Sequence, residues 1–150
     1  MREFANLAEL AAEQGNEIGV SSWTEITQDR INRFADVTGD HQWIHTDPER
    51  TKRELQMSTI AHGYLTLSLL PAFMGEIFSV TSLKRMINYG SNNVRFMNMV
   101  PVGSRLRGRV SLQKGVLSSS SMRTICEVTV EIEGQAKPAL RAEVITLMYE

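Results

Sequence analysis

Residues 61–78 read Ala-His-Gly-Tyr-Leu-Thr-Leu-Ser-Leu-Leu-Pro-Ala-Phe-Met-Gly-Glu-Ile-Phe. Tyr64, Leu65, Leu67, Leu69, Leu70, Phe73, Met74, Ile77 and Phe78 cover nearly every face at helical spacing. A surface helix shows a single apolar stripe, so this pattern predicts a helix surrounded by protein. Pro71 has no backbone N–H and its ring crowds the preceding turn, so the helix must kink or split there. Downstream the period changes to two. Leu106, Gly108, Val110 and Leu112 alternate with Arg105, Arg107, Arg109 and Ser111, and Cys126, Val128, Val130 and Ile132 alternate with Glu127, Thr129, Glu131 and Glu133. Both runs read as half-buried antiparallel strands. Met86 to Phe96 and Leu140 to Tyr149 are further strands, with turns at Pro101–Ser104 and Gly134–Pro138. The expected class is α+β, an antiparallel sheet around one buried helix, and an ordinary α+β sandwich with helices on one face would give the same periodicities.

Upstream of the buried helix, Phe4, Leu7, Leu10 and Ala11 fall at helical spacing and Gly15 follows them, which predicts a short amphipathic helix. A second helix starts at Thr27 as N-cap, with Asp29 in its first turn, and stops at Gly39. From Asp40 to Thr59 there is no sustained period, and Pro48 interrupts it; this is expected to be loop with at most one short helical turn. No Pro/Ser-rich linker, repeat or low-complexity tract divides the chain, so residues 1–150 are expected to form one domain.

Composition narrows the function. There are 16 Lys+Arg against 17 Asp+Glu, a net charge of −1 with no block of like charge, which provides no footprint for nucleic acid or an anionic membrane. The longest apolar-rich window, Ile60 to Val80, is broken by His62, Gly63, Pro71, Gly75 and Glu76 and falls short of the roughly 18 apolar residues of a membrane span. Met1 to Glu9 does not read as a signal peptide. A single cysteine, Cys126, excludes an internal disulfide framework and a cysteine-based zinc cluster, and fits a reducing, cytoplasmic setting. Lying on the apolar face of its strand, it reads as a small core hydrophobe.

The chemistry concentrates in Phe34-Ala35-Asp36-Val37-Thr38-Gly39-Asp40-His41-Gln42-Trp43-Ile44-His45, followed by Ile60-Ala61-His62-Gly63. Asp40 and His45 put a carboxylate and an imidazole in a non-periodic segment just past a helix end. Such a pair can handle one water, the carboxylate taking its proton and the imidazole holding it or passing a proton on. Gly63 begins the buried helix, so its N–H lacks an intrahelical acceptor and, with no side chain in the way, can meet a ligand oxygen that gains negative charge. A helix cap and a surface histidine are the plainer readings of Asp40 and His45.

This arrangement resembles the hydratase motif of the MaoC-like dehydratases, the (R)-specific enoyl-CoA hydratases with the hot-dog fold. The family pattern runs from an aromatic residue through Gly-Asp, Asn-Pro, an aliphatic residue and His to a later Ala-His-Gly or Val-His-Gly at the central helix. Phe34, Gly39-Asp40, Ile44, His45 and Ala61-His62-Gly63 match it, and Asn93-Val94-Arg95-Phe96 with Pro101-Val102-Gly103-Ser104 resembles a later strand and turn of the family. Gln42 and Trp43 stand where Asn and Pro are usual. Gln42 retains an amide displaced by one methylene, and Trp43 lacks proline's rigidity. The Asp-His-Gln-Trp-Ile-His variant is similar to a single-domain subgroup that includes the nodulation protein N-like proteins.

The resemblance implies a hot-dog fold and a substrate that is a trans-2-enoyl thioester of CoA. It implies catalytic roles for Asp40 and His45, with Gly63 and Gln42 on the substrate; the product is an (R)-3-hydroxyacyl-CoA, and no metal or redox cofactor is required. A hot-dog sheet leaves strand edges exposed, which predicts a homodimer with sites near the interface. The alternatives are a catalytically silent acyl-CoA or acyl-carrier-protein binding module, a dehydratase subunit, or a hot-dog thioesterase. His41, His45 and His62 with Asp40 give a weaker metal-site pattern, because the spacing of His41 and His45 converges only on a helix. His62 reads as a helix-start residue that bonds backbone or packs near the site, outside the catalytic set. Met74, Met86, Met97 and Met99 read as core filler, with some available to line an acyl tunnel. Arg105, Arg107, Arg109 and Lys84-Arg85 read as a solvated face, with CoA phosphates as the sharper alternative.

Overall fold

A computed structural model describes residues 1–150. The N-terminal part carries β1 (Arg2–Phe4), α1 (Leu7–Ala12), β2 (Glu17–Val20), β3 (Thr24–Glu25) and α2 (Gln28–Thr38). Then come α3 (Trp43–Thr46), α4 (Pro48–Leu55), α5 (Gly63–Ser68), α6 (Leu70–Ile77) and β4 (Phe78–Val80). Four long strands complete the chain: β5 (Arg85–Phe96), β6 (Arg105–Leu117), β7 (Ser121–Ile132) and β8 (Leu140–Tyr149). The main sheet runs β2-β6-β7-β8-β5, with β3 also on β6, and β1 pairs with β4 in a separate parallel ribbon. The main-sheet pairings are antiparallel. This is the hot-dog arrangement.

The central helix is split into α5 and α6 at Leu69, two residues before Pro71, as the missing N–H requires, and it is not covered on every face as expected: Tyr64, Ser68, Pro71, Ala72, Gly75 and Glu76 are exposed along one side. Phe73, Met74 and Ile77 of α6 are buried against the sheet. A Cβ at Gly108 would lie 2.7 Å from the Phe73 Cβ, so glycine in β6 is what lets helix and sheet approach this closely. In β6, β7 and β8 the apolar positions face this core, and Leu106, Val110, Val128, Val130 and Leu140 are completely buried.

The opposite face of the sheet is a charge ladder. Arg105 pairs with Glu133, Arg107 and Arg109 share Glu131, and Arg109 also reaches Glu17 across to β2. Arg107 further lies over the Trp23 ring, 4.4 Å from its centre. The edge strand β5 differs from its sheet mates. Almost all of its residues are exposed, including Met86, Ile87, Tyr89 and Phe96, and no alternation of burial is present.

Two further expectations need correction. Phe4 belongs to β1, where it packs edge-on against Phe78 of β4, and α1 begins only after the Asn6 cap. The stretch 40–59 holds two helices rather than one turn. Asp47 caps α4 by accepting from the Arg50 N–H, and Pro48 occupies the first turn, where its fixed φ helps instead of interrupting. Helix α2 follows the prediction: Thr27 accepts from Arg30 N, and Gly39 closes the helix at φ +77°. No helix is long and apolar enough to cross a membrane.

Candidate functional site

The end of α2 aims the following residues at the head of α5. Left-handed Gly39 reverses the chain, Asp40 follows, and α3 presents His45 from its third position. Gln42 is the N-cap position of α3 and Trp43 its first residue. A proline here would occupy a helix start, where it is tolerated; Trp43 fills the same position, with its ring lying under the Arg50 guanidinium at 4.5 Å. The loop from Ile44 to Ala61 is pinned by the Ile60 N–H on the Ile44 carbonyl and by the Ala61 N–H on the Val100 carbonyl.

The donor and acceptor atoms of Asp40, His45 and His62 lie within 4.8 Å of one another. Their hydrogen bonds fix which imidazole nitrogen is available. His45 Nδ1 is 2.7 Å from the Ile60 carbonyl, which can only accept, so Nδ1 carries the hydrogen and Nε2 is left for chemistry. His62 Nε2 is 2.9 Å from the Asp40 carbonyl, so here Nε2 is the donor, and His62 Nδ1 is buried without a partner. The two rings stack with centres 3.9 Å apart and 27° between planes, and Phe34 closes the other side of His62 at 5.0 Å. His62 thus touches both sequence-predicted residues: it donates to the backbone of Asp40 and supports the ring of His45. This agrees with the reading of His62 as a helix-start residue that bonds backbone and packs near the site; the stack on His45 is the part that spacing did not give.

Burial is the largest influence on His45 and pushes its pKa below the ordinary 6.5; the bond to the Ile60 carbonyl acts in the opposite direction, His62 adds to the lowering, and Asp40 opposes it. A predominantly neutral imidazole with a free Nε2 results near pH 7. Asp40 is exposed, and one carboxylate oxygen accepts weakly from the Gln42 N–H at 3.4 Å.

A cavity of about 300 Å³ lies beside His45, the one residue of this cluster among its walls. His45, Ala61, Gly63, Thr66, Phe96, Met97, Met99 and Val100 are among its walls. It brings His45 and the first residue of α5 to one space of mainly apolar lining, which suits an acyl group beside a small polar cluster. At Gly63 a Cβ would meet the Phe96 ring at 3.0–3.2 Å, so the absence of a side chain there keeps the helix start and β5 in contact. Met97 and Met99 take the cavity-lining role and Met74 the core role, whereas Met86 is exposed on β5.

Other sequence candidates separate from the site. Gln42 forms no side-chain cap bond and is not a wall of the cavity, although its carbonyl accepts the His45 N–H. His41 is exposed and points to Asp36 at 3.8 Å. Arg105, Arg107 and Arg109 are all paired with glutamates, so the solvated-face reading describes them. Cys126 is buried in β7 and burial raises its thiol pKa to about 11. As for a metal, Asp40, His45 and His62 are the residues able to supply ligands. One nitrogen of each ring is bound to a carbonyl, which leaves His45 Nε2, His62 Nδ1 and the Asp40 carboxylate as the atoms that could meet a water or an ion.

Comparison with known proteins bears on this geometry. A family profile described as "MaoC like domain" matches residues 9–135. The chain is 50% identical over 147 residues to 3-hydroxyacyl-thioester dehydratase Z of Mycobacterium tuberculosis, covering 97% of each protein. It is 46% identical over 146 residues to nodulation protein N of Rhizobium leguminosarum bv. viciae, covering 95% of this chain and 91% of that one. Among solved structures, the unliganded R-hydratase PhaJ1 from Pseudomonas aeruginosa superposes with a TM-score of 0.74 at 22% identity, covering 98% of this chain and 87% of the other, which is a likeness of fold.

Proposed function

The chain belongs to the MaoC-like dehydratase family and is a hydro-lyase; from that premise we propose that it adds water to a trans-2-enoyl-CoA to give the (R)-3-hydroxyacyl-CoA, and catalyses the reverse dehydration. The observation that carries this reading is the pairing of Asp40 with a His45 whose Nδ1–H is tied to a carbonyl and whose Nε2 is left free, beside an apolar cavity headed by Gly63. The relative named as a 3-hydroxyacyl-thioester dehydratase supports the substrate class.

In this mechanism one water lies between the Asp40 carboxylate and His45 Nε2. Its oxygen forms the bond to the β-carbon, its proton passes to the pair, and a proton is delivered to the α-carbon. Negative charge gathers on the thioester oxygen during addition, where the Gly63 N–H receives it; removing such a donor typically costs on the order of 3–4 kcal/mol. His62 and Phe34 hold the pair in register. No metal or redox cofactor enters these steps, since the electron demand is met by the thioester itself.

A second copy of the chain completes the molecule in this proposal. Strand β5 ends the sheet with an unpaired edge and exposed Met86, Ile87 and Tyr89, and its Phe96 walls the cavity, so a homodimer along β5 would bury the edge and seat the cavity near the interface. The reduced, buried Cys126 fits a cytoplasmic enzyme.

The test is loss of enoyl-thioester absorbance with short and medium trans-2-enoyl-CoA substrates, together with the mass in solution. Formation of 3-hydroxyacyl-CoA by a species of twice the chain mass is expected. Free CoA as the product would replace the reading with a thioesterase. Binding of acyl-CoA without turnover at any chain length would replace it with a binding module, and a monomer at micromolar concentration would remove the interface.

A further inference from the structure

Gln28, the first residue of α2, divides its side-chain amide between its own helix and the segment that carries His45. Nε2 donates to the His45 carbonyl at 2.7 Å and to Asn32 Oδ1 at 2.9 Å. Oε1 accepts from the Thr59 hydroxyl. Thr59 is almost completely buried and immediately precedes Ile60, whose carbonyl takes the Nδ1–H of His45. One amide therefore grips both sides of the histidine: the backbone from which the ring hangs, and the residue next to the carbonyl that orients it. A planar amide with both N–H groups engaged allows little rotation, and neither partner can shift without breaking a bond of the other.

We propose that Gln28 is a positioning residue for His45. It fixes the height and tilt of the imidazole relative to Asp40, although it touches no part of the cavity at His45. The inference rests on the proposed role of His45 in holding the attacking water. A helix-start role alone does not account for the bonds: the Thr27 hydroxyl already caps α2, and of the Gln28 bonds only the one to Asn32 stays within the helix, while those with the His45 carbonyl and Thr59 reach outside it. Gln28 also borders a separate cavity of about 570 Å³ together with Thr59, Lys52 and Gln56. This open space gives a small primary amide a route to the position that the side chain occupies.

Three variants test the assignment in steady-state hydration assays. Gln28→Met keeps the length of the side chain and removes the donors. It is expected to lower kcat by about 10- to 100-fold, the effect of displacing a reacting group by roughly an ångström. KM should stay within about twofold, because the interaction lost is not one made to bound substrate. Far-ultraviolet circular dichroism should be unchanged. Gln28→Ala should lose rate similarly and recover part of it in millimolar propionamide, whereas wild type and His45→Gln should not respond to the amide. A Gln28→Met enzyme with wild-type kcat, or an Ala variant that propionamide does not restore, would overturn the positioning role while an inactive His45→Gln left the catalytic reading standing. A fully active His45→Gln would overturn both.

Discussion

The segment from Asp40 to Gly63 and the strands from Arg105 to Tyr149 solve the same problem, holding side chains still, by different means. The strands are held by area: Leu106, Val110, Val128, Val130 and Leu140 are fully buried, and adjacent strands zip through long registers. The segment is held by single bonds: Ile60 on His45, Gln28 on His45 and Thr59, His62 on Asp40, Thr51 on Trp43 and Asp47. Burial is cooperative and tolerant of small shifts, whereas a hydrogen bond demands direction. On the proposed function the first stabilises the protein and the second aims the reacting groups, so changes in the two regions should be read out by different instruments.

The largest effect belongs to the aimed region. Asp40→Asn and His45→Gln should each reduce hydration by about 10²- to 10⁴-fold, measured as enoyl absorbance, with little movement of the thermal midpoint. A large loss of stability in either variant would break the division between regions. In the strands, Leu106→Ala should cost about 2–5 kcal/mol in urea denaturation and leave kcat per folded molecule nearly intact.

Gly63, at the end of the aimed segment, packs on the edge strand β5 and sharpens the comparison. Gly63→Ala presses a methyl into the Phe96 ring, and its rate should fall by about tenfold as the helix start is pushed away from β5, an overpacking effect of 1–3 kcal/mol. Combining it with Phe96→Leu should recover part of the loss; additive losses in the double variant would show that the two positions do not communicate.

A smaller effect is the pH dependence of His45. Its folded pKa lies below the ordinary 6.5, so the hydration rate should hold as pH falls through 6.5 and decline only at lower pH, as Nε2 takes up a proton. For stability, the unfolded chain binds this proton first. Stability should therefore decrease as pH falls from the unfolded value to the folded one and level off below it, with a slope of at most about 1.4 kcal/mol per pH unit. His45→Gln should remove this component from a pH series of denaturation curves. The smallest effect is at Cys126, whose thiol, raised to about 11 by burial, should resist a thiol reagent until the protein unfolds.

Legibility from sequence follows the same division. Strands β6, β7 and β8 repeat with period two because they bury one face, and α2 could be bounded by Thr27 and Gly39 because both ends are capped by recognisable chemistry. Helix α4 was hidden because its main buried residue is Thr51: it is built by the Asp47 cap, Pro48 in the first turn and the Arg50–Glu54 pair, none of which makes an apolar period. β5 could be read as a strand, but its exposure on both faces could not, since the same residues would suit a covered strand. Asp40, His45 and Gly63 could be picked out by their motif. The backbone bond of His62 could be anticipated from its place at a helix start, but its stack on His45 and the bonds of Gln28 exist only after α2, α3 and α5 converge.

The ladder of Arg105, Arg107, Arg109, Glu131, Glu133 and Glu17 has a consequence for how copies of this protein can meet. Its charges already neutralise one another at close range, and burying them against a second sheet would strip water from every pair without supplying new partners. Face-to-face stacking is thereby closed off. The unpaired border at β5 has no such guard, so the charged face favours the homodimer proposed above, side by side along the sheet, over one that stacks across it.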